Sequence, residues 1–311
     1  MSPGPYFENY PAQLPFQSIT GTPNRKDFGK NGTFLVFRQM EQHVERFWHY
    51  MYHNSREDAA TTIDQAIKLA AKMVGRWPEG QPLATNHDIP AETKDLNEFE
   101  YSKDDAHGLG CPFGAHVRRT NPRDQNGGEV NIKLSIEMSN KHRMLRRGRV
   151  YGDPIDPDFN VRNMIEMVKD KPKETAYALN LANMENGNSY KDQTGSTKIE
   201  IKRGVHFMCL VSDISRQFEF VQSVWANTRT FGDLSNEADP IISPGYTNDK
   251  KTHADFTTPQ VNIRNRYRAV PEFTNVVGGE YFFLPSITAL KYLVDIPVLN
   301  QKKANADSLT V

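Results

Sequence analysis

The sequence predicts an α+β fold in which helices cover one face of an antiparallel sheet. Short apolar runs with strand character are separated by segments of helical periodicity, without a regular β-α-β rhythm. The 311 residues contain neither a glycine-rich phosphate loop nor an internal repeat. A composition of 37% hydrophobic and 24% charged residues is typical of a folded chain rather than a disordered one.

The first third of the chain predicts a loop, a strand and two helices. Residues 1–32 are rich in proline, glycine and asparagine and predict a loop. The apolar run 34–37 follows Asn31-Gly32 and predicts a buried strand. Apolar residues at three- and four-residue steps then predict a helix, with the face Met40, Val44, Phe47, Trp48 and Met51. We expect Ser55 to cap a second helix, with the face Ile63, Ile67, Ala70 and Val74.

The middle of the chain predicts a basic strand followed by a long insertion. Residues 141–151 are the strand candidate, and residues 153–203 are polar and charged. Residues 205–211 are apolar enough for a central strand. Asp213 then opens an amphipathic helix, whose apolar side comprises Ile214, Phe218, Val221 and Trp225.

The last part of the chain predicts a loop, a strand and a helix. Residues 227–275 show little periodicity and predict mostly loop, and residues 280–284 predict a strand. Pro285 can start a helix, with the apolar face Ile287, Leu290 and Leu293. We therefore expect an N-terminal loop at 1–32, one domain at 33–300 with an insertion at 153–203, and a flexible tail at 301–311.

Charge and cysteine content limit the partners and the compartment. The 38 basic and 38 acidic side chains give zero net charge, so we expect neither a nucleic-acid nor a membrane partner. Cys111 and Cys209 make no disulfide framework, which favours a reducing compartment. No apolar run approaches the ~20 residues of a membrane span, and the first residues lack the pattern of a signal peptide. A cytoplasmic location is the expectation.

The segment Cys111–Arg123 carries the most chemistry. It places His116 in an apolar context and follows it with arginines, including Arg119 and Arg123. A lone histidine of this kind is usually structural, but guanidinium groups beside it suit the carboxylates of an anionic cofactor. Haem, which has two propionates and needs one axial imidazole, is one such cofactor. The residues themselves leave other cofactors open.

Three further groups have competing interpretations. Arg146 alternates with Arg147 and Arg149 along the basic strand, so it points to the opposite sheet face, yet the whole strand could be a solvated edge. The four-residue spacing of Glu45, His49 and His53 on one helix could bind zinc, although it is more often an exposed polar face. Cys111 could be a reactive thiolate, although a buried inert thiol is more common.

Several blocks resemble the dye-decolorising peroxidase family, in the family's order. Cys-Pro-Phe-Gly-Ala-His-Val-Arg-Arg-Thr-Asn-Pro-Arg at 111–123 is similar to the family's haem-ligand segment. Arg-Arg-Gly-Arg-Val-Tyr-Gly at 146–152 resembles its distal-arginine motif. Residues 204–210, continuing to 216–222 and Trp225, resemble its central strand and following helix. The blocks at 278–285 and 27–37 also fit, so the resemblance spans most of residues 25–295.

The resemblance implies a ferredoxin-like α+β fold of the dimeric α+β barrel type, normally two modules with haem b in the second. It implies peroxidase activity on hydrogen peroxide and aromatic or dye-like donors. His116 would be the proximal iron ligand, Arg146 the distal arginine, and Glu272 the carboxylate that accepts a hydrogen bond from the proximal imidazole. The other implied site residues are Arg119 and Arg123 at the propionates, Phe207 lining the distal pocket, and Tyr151 relaying electrons.

The sequence departs from the family pattern in three ways. The family's distal Gly-x-x-Asp-Gly motif and first module are not found in it, Val150 replaces a proline, and the segment 153–203 is longer and more polar than usual. Because the distal aspartate assists proton transfer, the alternative is a haem-binding protein or interaction module without efficient turnover. A separate N-terminal module could supply what this sequence lacks, and a homo-oligomer is the other partner expected.

Overall fold

A computed structural model describes the structure at residues 6–7, 26–55, 62–88, 96–125, 131–158, 160–171, 189–191, 197–199, 203–243 and 254–295. The strands are β1 (Tyr6–Phe7), β2 (Lys26–Asp27), β3 (Thr33–Gln42), β4 (Leu145–Tyr151), β5 (Ser189–Lys191), β6 (Thr197–Ile199), β7 (Gly204–Val211), β8 (Ala254–Pro259), β9 (Arg264–Val270) and β10 (Thr274–Leu284). The helices are α1 (Val44–Asn54), α2 (Ile63–Val74), α3 (Tyr101–Asp104), α4 (His116–Thr120), α5 (Ile132–Lys141) and α6 (Val161–Val168).

The central sheet is antiparallel and has the strand order β10-β3-β7-β4. Numbered along the chain, this is the order 4-1-3-2. One crossover connects β3 to β4 through α1–α5, and a second connects β7 to β10 through helical turns and the β8–β9 hairpin. This is the split β-α-β arrangement of the ferredoxin-like fold. The predicted fold class is confirmed.

The two central strands follow from their apolar sequences. The predicted run 34–37 lies inside β3, and the predicted central strand corresponds to β7. Val36 and Cys209 face each other across the β3–β7 pair and are both buried. β3 extends to Gln42, so the prediction that Met40 begins a helix is wrong: Met40 pairs with Val205 in the sheet, and α1 begins at Val44.

Helix α2 is capped at both ends. At its start, Thr62 and Gln65 exchange side-chain and backbone hydrogen bonds in a capping box. Ser55, predicted as the cap, instead follows the last residue of α1. At the other end, Gly75 has φ +98° and its N–H donates to the Ala71 carbonyl at 2.7 Å. Glycine adopts this left-handed conformation without steric cost, which ends the helix.

Two segments that were predicted to be irregular contain regular structure. The polar insertion includes α6, whose Met164, Ile165 and Val168 are buried against α1 and α2. The stretch predicted as mostly loop includes the β8–β9 hairpin, where Phe256 is fully buried. The apolar residues of α6 have helical spacing, but they are few and lie in a polar segment. The segment as a whole therefore did not predict a helix. The predicted domain boundaries at 32 and 300 stay predictions.

The inner face of the sheet, which carries Val36, Phe207 and Cys209, is covered by helical turns. After β7 the chain forms π-helical turns at Ser215–Glu219 and Val221–Ala226. Phe218 packs into the same cluster as Val36 and Cys209. The predicted start of this helix at Asp213 is confirmed, because the Asp213 carboxylate accepts the Arg216 N–H at 2.9 Å.

The outer face of the sheet carries an apolar row across all four strands. Leu145, Leu210, Leu35 and Phe282 are successive partners in the register. Leu145 is 60% exposed and Phe282 is 46% exposed. Residues 287–295 are helical as predicted, but the apolar face is exposed, with Ile287 at 74%. No helix in the described ranges is long and apolar enough to cross a membrane.

The burial of α6 makes a prediction about stability. Ile165 is fully buried, so Ile165→Ala should lower the free energy of unfolding by about 2–5 kcal/mol. Met167, on the same helix, is 54% exposed, and Met167→Ala should change it by less than about 1 kcal/mol. Denaturant unfolding of both variants measures the difference. Equal effects would show that α6 is not part of the core.

Candidate functional site

The candidate site is built around α4, a five-residue helix that begins at His116. Gly75, at the end of α2, packs against α4 and the Cys111 segment. A Cβ built on Gly75 would lie 3.1 Å from the Val117 Cβ and 3.2 Å from the Cys111 Sγ. Glycine therefore serves two purposes here, because it accepts the positive φ and it lets α2 approach the His116 segment closely.

Arg118 anchors the site from one side. It is 2% exposed, and its Nη1 donates to the Asp105 carboxylate at 3.2 Å and to the Cys111 carbonyl at 2.6 Å. The same carboxylate accepts the N–H groups of Gly110 and Cys111 at 3.0 and 2.7 Å. A buried charge pair needs this degree of hydrogen bonding to offset its desolvation. The network fixes the loop that leads into α4.

Arg119 anchors the opposite side. It is fully buried, and its Nε donates to the Trp225 carbonyl at 2.9 Å and its Nη1 to the Glu237 carbonyl at 3.2 Å. A further bond joins Nη2 to the Thr228 carbonyl. Burial lowers the pKa of Arg119 to about 10. The prediction that Arg119 binds a propionate is therefore wrong: its donors are used to hold the chain between the π-helical turns and residue 237.

The segment held by Arg119 leads into Asp239, which contacts His116. The His116 Nδ1 lies 2.8 Å from the Asp239 Oδ2, although the two residues are 123 positions apart. The other carboxylate oxygen accepts the Ile241 and Ile242 N–H groups at 2.9 and 3.1 Å. The Asp239 side chain is fully buried, whereas the His116 side chain is 23% exposed. The carboxylate thus lies inside the protein, whereas the imidazole is partly accessible.

The electrostatics of the pair determine the histidine tautomer. Burial alone raises the pKa of Asp239, but the charge and hydrogen bond of His116 and the two backbone N–H groups outweigh it, so the pKa falls below its usual value. Because an ionised carboxylate can only accept, the neutral His116 imidazole must carry its proton on Nδ1. Its Nε2 then presents a lone pair, which is the form in which histidine binds a metal.

Glu272 was predicted to hold this position, and that prediction is wrong. Asp239 occupies the Nδ1 side of His116. Glu272 lies just before β10, where its carbonyl accepts a hydrogen bond from Arg46 at 2.9 Å. Burial raises the pKa of its carboxyl, while the Arg46 charge opposes that shift.

Arg123 lines a cleft of about 560 Å³ between residues 97–104 and α5. Its Nη1 donates to the Asn97 and Phe99 carbonyls at 2.9 and 3.0 Å, and its guanidinium lies 3.8 Å from the Phe99 ring centroid. Burial lowers its pKa. These contacts give Arg123 a structural role at residues 97–99, and its contact with a cofactor stays a prediction.

Arg146 and Phe207 lie on the inner face of the sheet, as the strand alternation predicts. Arg146 is opposite Cys209 and Gly148 is opposite Phe207 in the β4–β7 pair. The Arg146 side chain is exposed, and its charge lowers the pKa of the Arg76 guanidinium after burial has lowered it first. The register with β7 therefore places Arg146 on the same sheet face as Cys209 and Phe207.

Tyr151 lies on the outer face, because it is an odd number of residues from Arg146 along β4. Its ring stacks on His206, with centroids 4.7 Å apart and planes 19° from parallel. The structure therefore does not bring Tyr151 to the same sheet face as Arg146 and Phe207. Its role in electron relay stays a prediction.

The structure also decides between the interpretations of the Glu45, His49 and His53 face and of Cys111. The Nε2 atoms of His49 and His53 each lie 2.8 Å from a backbone carbonyl of the segment after α6, and Glu45 pairs with Lys171 at 2.6 Å. No metal-binding cluster of three such side chains occurs among the described residues. Cys111 is buried and burial raises its pKa to about 12, so it is the inert thiol.

The residues that sequence reasoning missed are Asp105, Arg118 and Asp239. Asp105 lies in a polar stretch just before the Cys111 segment, and nothing in the sequence marks it as the partner of Arg118. Arg118 was overlooked in favour of its neighbour Arg119. Asp239 falls in a stretch without periodicity, far along the chain from His116, and only the fold brings the two together.

Comparison with known proteins gives a consistent result. No protein-family profile matches the chain. The multifunctional dye peroxidase DyP2 of an Amycolatopsis species is 29% identical over 267 residues, 84% of this chain and 49% of the relative. The dye-decolorizing peroxidase AauDyP1 of Auricularia auricula-judae is 28% identical over 292 residues, 88% of this chain and 48% of the relative.

Solved structures agree. The Amycolatopsis DyP2 structure has a TM-score of 0.59, is 29% identical, and is matched over 83% of this chain and 48% of its own. A dye-decolorizing peroxidase in complex with 2,6-dimethoxyphenol has a TM-score of 0.58, is 26% identical, and is matched over 90% of this chain and 56% of its own. The relatives and neighbours are dye-decolorizing peroxidases and match most of the chain, which confirms the predicted resemblance. The chain spans about half the length of the curated relatives it matches.

The His116–Asp239 pair predicts how the tautomer responds to substitution. In Asp239→Asn, the amide oxygen still accepts from the two backbone N–H groups, so the NH₂ group must donate to Nδ1. The proton of neutral His116 should therefore move to Nε2. Nitrogen-15 NMR of the imidazole in the purified chain measures this change. Glu272→Gln is the control and should leave His116 unchanged; a retained Nδ1 proton in Asp239→Asn would contradict the assignment.

Proposed function

We propose that the chain is the haem-binding part of a dye-decolorising-type peroxidase. The reaction is the two-electron reduction of hydrogen peroxide, followed by one-electron oxidation of aromatic or dye-like donors. The carrying observation is the His116–Asp239 pair, held at 2.8 Å and linked through Arg119 to the π-helical turns, whose Phe218 packs on the Arg146 face of the sheet. Relatives that are named dye peroxidases and dye-decolorizing peroxidases support the same reaction class.

The residues present fit a haem with histidine ligation. The group needs one accessible imidazole nitrogen with a lone pair, and the Asp239 carboxylate leaves Nε2 of His116 in that form. We infer haem b, which is the form that the family resemblance implies. When bound, the haem supplies the redox chemistry of peroxide reduction and donor oxidation. Asp239 holds the Nδ1 proton and strengthens the basicity of the ligand nitrogen.

Arg146 is the proposed peroxide-binding residue. Its guanidinium is always charged and offers several N–H donors to an oxygen that gains negative charge. It is exposed on the inner face, one row of the sheet from Phe207. We assign Phe207 to the wall of the distal pocket and Arg123 to a cofactor propionate. Tyr151 is the proposed electron relay to bulky donors at the surface.

The alternative function is haem binding without efficient turnover. Its motivation is that the printed sequence contains no Gly-x-x-Asp-Gly motif, so a distal aspartate that moves the peroxide proton is not identified. The apolar row on the outer sheet face supports a further ferredoxin-like module, or a second copy, packed against it. That occupant and the cytoplasmic location stay predictions.

The two functions predict different behaviour after haem loading. The purified chain should develop a Soret band on addition of haem, and His116→Ala should lose or shift that band. Arg146→Leu should keep the band but react with peroxide about 10²-fold more slowly, as expected when one transition-state donor is removed. Stopped-flow absorbance and oxidation of an anthraquinone dye measure the two effects.

Arg149→Leu is the matched control, because Arg149 lies on the same strand but on the outer face. It should behave like the unsubstituted chain in both measurements. A Soret band that depends on His116, together with no arginine-dependent oxidation, would support the alternative function. Haem uptake that is unchanged in His116→Ala would reject both.

A further inference from the structure

A second cleft, away from His116, lies between α2 and the β8–β9 hairpin and has a volume of about 470 Å³. One wall is a single face of α2, formed by Gln65, Lys68, Leu69 and Lys72 at helical spacing. The facing wall comes from the end of β8 and from Tyr267. The volume is in the range of small-molecule sites.

The two lysines of this cleft differ in their hydrogen-bond partners. The Lys72 Nζ donates to the Gly110 carbonyl at 2.7 Å and to the Leu109 carbonyl, so within the described residues its partners are neutral. Burial lowers the pKa of Lys72 and the charge of Lys68 lowers it further, whereas the charges of Asp105, Cys111 and Asp88 oppose the shift. An anion in the cleft would relieve both effects.

One carboxylate already marks where an anion is held. The Asp88 Oδ1 accepts a hydrogen bond from the Lys68 Nζ at 3.1 Å, and the Asp88 side chain is 84% exposed. The hydrogen bond from Lys68 is the main reason that the pKa of Asp88 is lowered, and the charges of Lys68, Lys72 and His87 contribute. Three basic groups therefore act on one carboxylate that lies at the surface.

The rest of the lining combines apolar and aromatic side chains with the polar Ser55, Thr258 and Gln260. Leu69 and Leu109 form part of the floor, and Pro259 and Tyr267 form part of the hairpin side. The Tyr267 ring lies 6.3 Å from the buried Phe256 ring, which holds it against the core. A flat apolar body fits between such surfaces, while its acidic group reaches the lysines.

We propose that this cleft is a binding site for a small aromatic carboxylate or sulfonate. The oxyanion is held by Lys68 and Lys72, and the ring packs between Leu69 and Tyr267. Asp88 acts as an internal competitor that is displaced when the ligand binds. The site needs no haem, so it stands independently of the proposed peroxidase function.

Isothermal titration calorimetry of the purified chain tests the proposal, with 2-naphthalenesulfonate as the probe and neutral naphthalene-2-sulfonamide as its shape-matched comparison. The sulfonate should bind at one site, and the sulfonamide about tenfold more weakly. Lys68→Gln should weaken sulfonate binding about tenfold, because one charge-assisted contact is lost. Lys133→Gln, which changes an exposed lysine on α5, is the control and should have no effect.

Asp88→Asn provides a test of opposite sign. Removing the Asp88 charge, which competes for the lysines, should strengthen sulfonate binding about 3–10-fold. Equal binding of the sulfonate and the sulfonamide would overturn the proposal. So would equal affinities of Lys68→Gln and Lys133→Gln, or an unchanged affinity in Asp88→Asn. Repeating the titration with His116→Ala separates this site from haem binding, since that variant should bind the sulfonate normally.

Discussion

The hydrogen bond between His116 and Asp239 is the constraint on which the arrangement of the site depends. A buried carboxylate is costly unless it is fully hydrogen-bonded, and Asp239 meets that requirement through the imidazole and two backbone N–H groups. The same three contacts that stabilise the charge also fix which imidazole nitrogen carries the proton. The same hydrogen bonds therefore stabilise the buried charge and leave the lone pair on Nε2 of His116.

The helix that begins at His116 cannot provide this precision by itself. Five residues are too few for a stable helix in water, so α4 depends on its surroundings. Arg118 ties it to Asp105 and the Cys111 carbonyl, whereas Arg119 ties it to the carbonyls before Asp239. Each guanidinium forms several directed hydrogen bonds that restrain the position of α4. The imidazole is thus held between two separate parts of the chain.

The sequence predicted the fold better than it predicted the site. β7 and the turns after Asp213 have apolar residues at the spacing of regular structure, and both were found. Arg119 and Glu272 were assigned from closeness in sequence or from resemblance. Whether the polar atoms of such a side chain find their hydrogen-bond partners in the protein interior or face a cavity depends on long-range packing. Asp239 shows the same limit in reverse, because nothing in its neighbours indicates a partner 123 residues away.

The geometry of β4 separates two proposed roles that the sequence places close together. Arg146 and Tyr151 are five residues apart, and side chains alternate along a strand, so they must point to opposite faces of the sheet. Continuous pairing with β7 leaves no bulge that could change this relation. If Tyr151 exchanges an electron with a cofactor on the Arg146 face, that electron would therefore have to cross the sheet. Its stacked neighbour His206 lies on the outer face as well, whereas the next residue, Phe207, lies on the inner face. The covalent route between the faces runs through the backbone of β4, because Val150, the neighbour of Tyr151, lies on the inner face.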